Sequence, residues 1–167
     1  MKRLPLSLLA AGLLAVAGLA GLVRGAVPLP SAAGSTVMQP HESIVVSGAY
    51  VREPANGVSA AAYFTLSNTT DTPDVLTAVT SGAGAETSLH TESSGAMRQS
   101  GGLSILAFRS VTLSPGKGHV MIAKLYGPLK AGQSVNFELT FAKAGQLLLT
   151  APVIAVTAPA PTAGGPR

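Results

Sequence analysis

Val58-Ser59-Ala60-Ala61-Ala62-Tyr63-Phe64-Thr65-Leu66-Ser67 is the stretch that decides the fold. Ala60, Ala62, Phe64 and Leu66 alternate with Ser59, Ala61, Tyr63 and Thr65, and successive side chains of a strand point to opposite faces. The stretch is therefore read as a β-strand with one apolar and one more polar face. Asn136-Phe137-Glu138-Leu139-Thr140-Phe141 repeats the two-residue period. Working outward, further β-type runs cover residues 43–52, 74–80, 86–92, 103–108, 111–113, 119–126, 134–141 and 146–156. Asn56-Gly57, Asn68-Thr69-Thr70-Asp71, Ser114-Pro115-Gly116 and Ala131-Gly132 supply turns between them. No segment carries a helical stripe of useful length, and no internal repeat is present. The expected fold is all-β, an antiparallel sandwich or barrel of about seven to nine strands.

The chain of 167 residues is long enough for one domain with appendages. Residues 1–26 read as a signal peptide or N-terminal anchor. Met1-Lys2-Arg3 is charged, and residues 4–23 are apolar apart from Pro5 and Ser7. About 20 apolar residues just span a bilayer, but the abundance of Ala and Gly favours cleavage, at Gly18-Leu19-Ala20 or Ser31-Ala32-Ala33. Residues 27–42 form a Pro/Ala/Ser/Gly linker, 43–157 the folded domain, and 158–167 a tail expected to be disordered. The domain is thus expected in the periplasm or otherwise outside the cytoplasm.

The formal charge of +4 is concentrated at the start of the chain. With Lys2, Arg3 and Arg24 set aside, eight basic residues face seven acidic ones. Such a balance, without a basic run, gives no footprint for nucleic acid. There is no cysteine. That excludes disulfides, thiolate zinc sites and a blue-copper centre. No nucleophile elbow or pair of catalytic carboxylates stands out, so an enzyme is not expected.

What the chain does concentrate is His90, Met97, His119 and Met121, four of its three histidines and four methionines combined, within 32 residues. Imidazole and thioether are neutral donors, and thioether sulfur prefers a polarizable ion such as Cu(I) to zinc or harder ions. His119-Val120-Met121 would place ring and thioether on one face of a strand, with Val120 on the other. His90 falls at the end of the 86–92 run and Met97 in the Gly-containing loop after it. Taken singly, each has a plain explanation: core filler for Met121, a surface imidazole for His119, a strand end for His90, an idle loop residue for Met97. Together they suggest one site for Cu(I), with Cu(II) leaning instead on the two imidazoles and oxygen donors. Met38 and His41, in the linker, are a weaker soft pair best read as coincidental.

The spacing also resembles that of the PCuAC-type periplasmic copper chaperones, whose motif runs His, a loop Met, a fixed interval, then His-x-Met. Here 21 residues separate Met97 from His119. Ala49-Tyr50-Val51-Arg52, Ala61-Ala62-Tyr63-Phe64-Thr65-Leu66-Ser67-Asn68, Ser88-Leu89-His90, Met97-Arg98, Gly127-Pro128-Leu129-Lys130-Ala131-Gly132 and Leu139-Thr140-Phe141 are similar to that family and in its order. The resemblance implies a cupredoxin-like Greek-key fold, a copper site at His90, Met97, His119 and Met121, and delivery of copper to the CuA centre of cytochrome c oxidase, with Sco-type thiol proteins as further partners. Two departures stand out. Only six residues separate His90 from Met97, fewer than the family usually has, and Gly95 stands where a second methionine is frequent. The alternatives left by the sequence are a copper storage or resistance protein and a metal-free exported interaction module.

Overall fold

The computed structural model describes residues 43–55 and 57–161. The expected leader 1–26, linker 27–42 with Met38 and His41, and residues 162–167 of the tail lie outside the described residues. Ten strands and no helix occur among those described: β1 (Ile44–Arg52), β2 (Ser59–Asn68), β3 (Asp74–Ser81), β4 (Gly84–Ser93), β5 (Ala96–Ser100), β6 (Leu103–Ile105), β7 (Ser110–Thr112), β8 (Gly118–Leu125), β9 (Ser134–Phe141) and β10 (Gly145–Ile154). They form one path, β5-β4-β8-β2-β1-β10-β9-β3-β6, with β7 also paired to β2. This is the expected all-β architecture, a nearly closed barrel. The two ends of the path approach each other where β3, β4 and residues 99–102 line a cleft of about 260 Å³.

The alternation in β2 is realised in full. Ala60, Ala62, Phe64 and Leu66 are buried, whereas Ser59, Ala61, Tyr63 and Thr65 are partly exposed. Val51, Leu89, Val120, Ile122, Phe137, Leu139 and Val153 meet them in the core. Burial of such side chains is the main force closing the barrel, about 1.5–3 kcal/mol for each large one.

Three features differ from the expectation. Residues 96–100, read as loop, form β5; β1 and β10 pair in parallel, through Val51 and Val153. The run 103–108 stops at Ile105, because Phe108 adopts φ 53° and turns the chain out of the sheet. Two buried polar side chains at the turns are hydrogen-bonded. Buried Asn68 donates to the carbonyls of Thr72 and Ile105 and accepts from the Thr70 amide. Buried Asp74 accepts from the amides of Val75, Lys143 and Ala144 at 2.7–2.9 Å. At the carboxyl end, Arg52 donates to the carbonyls of Ala155, Val156 and Ala158, tying the first residue of the expected tail to β1.

Candidate metal site

β8 emerges from the turn Ser114-Pro115-Gly116-Lys117, closed by amides of Lys117 and Gly118 donating to the Ser114 carbonyl. Val120 and Ile122 are wholly buried, so their neighbours His119 and Met121 face outward. On β4, Leu89 points into the core and Ser88 and His90 face outward. Apolar burial on the inner face thus fixes which side chains the outer face presents.

The β4–β8 register sets His90 opposite His119 and Ser88 opposite Met121. Residues directly opposite each other share a face, about 4.5–5.5 Å apart at Cβ. The two imidazoles lie parallel, their centroids 5.1 Å apart and their planes within 7°. The Ser88 hydroxyl is 2.9 Å from His90 Nε2. Burial, followed by the charge of His90, holds the His119 pKa below the ordinary histidine value. His119 is therefore biased to the neutral form that a metal requires. Its ring centroid is also 6.3 Å from that of Tyr63. Tyr63 in turn lies 5.1 Å from Tyr50, over which the Arg52 guanidinium sits at 5.5 Å. Burial raises the Tyr63 pKa.

Met97 stands on β5 rather than in a loop. Ser94 and Gly95, with φ 54° and 80°, make a two-residue hairpin turn, and Ser93 pairs with Ala96. Two positive φ values are the mark of the tight turn that matches strand twist. Gln99 is opposite His90 and Met97 opposite Glu92, so Met97 shares the outward face and is a diagonal neighbour of His90. Such neighbours are about 7–8 Å apart. The structure thus gathers His90, His119 and Met121 on adjacent strands. Met97, 38% exposed, stands at the margin, on the other side of the histidine pair from Met121 along the strands. Ser88 and Tyr63 were not singled out from sequence. Ser88 had a signal, two residues before His90 on one strand face; Tyr63 needed the β2–β8 pairing.

The donors fit a soft ion. Two imidazoles and a thioether face one side, and Glu92, on the same face, is turned to the Gly95 amide at 2.6 Å.

The family described as "Putative lipoprotein LpqE-like" matches residues 44–153. "Putative lipoprotein Lxx21020" of Leifsonia xyli subsp. xyli is 32% identical over 140 residues, 81% of this chain and 83% of that protein. The copper-bound PCuAC domain from PmoF2 superposes with a TM-score of 0.61 at 25% identity, covering 68% of this chain and 93% of that domain. Cu(I)-bound DR1885 of Deinococcus radiodurans gives 0.58 at 29% identity, with 74% and 85% covered.

Proposed function

Because the chain belongs to the LpqE-like family and has the fold of PCuAC domains, we propose that it is an extracytoplasmic copper carrier, not an enzyme. Its cargo is Cu(I), held by His90, His119 and Met121, with Met97 completing the set when the β4–β5 hairpin bends inward. The observation that carries this reading is the register that stacks the two imidazoles and puts Met121 beside them on one outward face.

Donor chemistry accounts for carrying rather than locking. Neutral ligands leave the ion its full charge, and no thiolate anchors it. The site lies on an open sheet face rather than in a closed pocket, so a recipient can replace ligands one at a time. Met97, at the exposed edge strand, is the ligand that would exchange first. The recipient we favour is the CuA centre of cytochrome c oxidase, with a Sco-type thiol protein in the same chain of transfer. Support for this is the similarity to PCuAC chaperones alone.

Export is supported by the lipoprotein description of the family and of the Leifsonia relative. The 167 residues contain no cysteine, so none of them offers a thiol for lipid attachment.

Competition titration of the purified protein against a Cu(I) chelator tests the reading. One Cu(I) per chain, with weaker binding in His119→Gln and Met121→Leu, is expected. Absence of Cu(I) binding would overturn it.

A further inference from the structure

The contact between Ser88 and His90 is not needed to hold the sheet together. Both side chains are on the outward face of β4, and backbone pairing with β8 already fixes the strand. What the contact does fix is the ring. At 2.9 Å it engages Nε2, the outer nitrogen of His90. Since Ser88 is opposite Met121, a nitrogen turned to Ser88 is turned along the strand toward the Met121 row. On the copper-carrier reading, this is the nitrogen that a shared ion would need.

We propose that Ser88 is a positioning residue that acts as a latch on this nitrogen. In the metal-free protein its hydroxyl donates to Nε2, which selects the tautomer protonated at Nδ1 and keeps a lone pair aimed at the site. The same bond helps to hold the imidazole in its stack with His119. When Cu(I) binds, Nε2 passes from hydroxyl to metal; when a recipient withdraws the ion, the hydroxyl returns. No proton leaves the ring in either direction. The latch prepares the ligand and weakens the complex by the cost of one hydrogen bond, which favours release.

Ser88→Ala tests this, with Ser88→Thr restoring a hydroxyl. The change is on an outward-facing, partly exposed position, so the β-barrel is expected to persist. Nitrogen-15 NMR of the metal-free protein should show His90 protonated at Nδ1 in the wild type and in Ser88→Thr, and a mixture of tautomers in Ser88→Ala. Chelator competition should show Ser88→Ala binding Cu(I) about three- to tenfold more tightly, the worth of one ordinary hydrogen bond. Ser88→Thr should bind as the wild type does. An Nδ1-unprotonated ring in the wild type, or unchanged or weaker binding in Ser88→Ala, would overturn the latch. His90→Gln separates this from failure of the carrier reading. If His90→Gln loses affinity while Ser88→Ala does not change it, only the latch fails. If the wild type binds no Cu(I), both fail.

Discussion

The imidazoles of His90 and His119 lie face to face, 5.1 Å between centroids, because β4 and β8 pair these residues directly across the ladder. Neither ring is placed by a loop. Their separation is a consequence of strand register, and register is held by the inward-pointing Leu89, Val120 and Ile122. A one-residue slip of β4 against β8 would turn His90 into the core and leave His119 without its partner.

Binding of Cu(I) should therefore stabilise the whole barrel rather than a local loop. At free Cu(I) one hundred times the dissociation constant, the gain is about 2.7 kcal/mol by mass action. Thermal unfolding with and without Cu(I) under anaerobic conditions measures it. An unchanged midpoint would favour a metal-free interaction module.

The two methionines should not be equivalent. Met121 lies beside His119 and opposite Ser88, while Met97 is at the margin on β5 and 38% exposed. Met121→Leu should weaken Cu(I) binding more than Met97→Leu. Each should cost less than about 1.5 kcal/mol of stability, as a near-isosteric change. Equal losses of affinity in chelator competition would mean that the hairpin already holds Met97 at the ion.

Much of this arrangement can be read in the residues, and the exceptions have physical causes. Strand β2 announces itself because its inner face is apolar and its outer face is not. The pairing of His119 with Met121 on one face follows from strand periodicity alone. β5 escapes because Ala96-Met97-Arg98-Gln99-Ser100 is short, and its first four residues are exposed, leaving no alternation to detect. Its one cue is the Ser94-Gly95 turn. The parallel pairing of β1 with β10 joins segments about a hundred residues apart, and no local pattern encodes it. Phe108 reads as strand by residue type, yet its left-handed backbone ends the run. The stack of His90 on His119 depends on register between separated strands, so it became visible only in the fold.

Stability of the metal-free protein should fall as pH drops through the window just below 6.5, the ordinary histidine value. The sign follows from proton linkage. Burial keeps His119 neutral in the native state to lower pH than in the unfolded chain, so the unfolded chain binds the extra proton in that window. Urea unfolding at pH 7.5 and pH 5.5 (about one unit on either side) measures the loss, and His119→Gln should reduce it. An equal loss in the variant would assign the effect to other groups.

Close approach of β4 to β8 depends on Gly84. A Cβ there would come within 2.6 Å of the Ala123 carbonyl oxygen and 2.8 Å of Ile122 Cγ2. Gly84→Ala should destabilise the fold by about 1–3 kcal/mol through overpacking. It should also weaken Cu(I) binding, since the strands that carry both histidines must part. Chemical denaturation and chelator competition on the same preparation check the two together; loss of stability with full affinity would uncouple the site from this pairing.

X-ray absorption at the copper edge, on protein loaded with one Cu(I), is the most direct test of the central claim. The account predicts a first shell of mixed imidazole nitrogen and thioether sulfur, with the sulfur contribution reduced in Met121→Leu. A shell of nitrogen and oxygen alone, unchanged by that substitution, would contradict it.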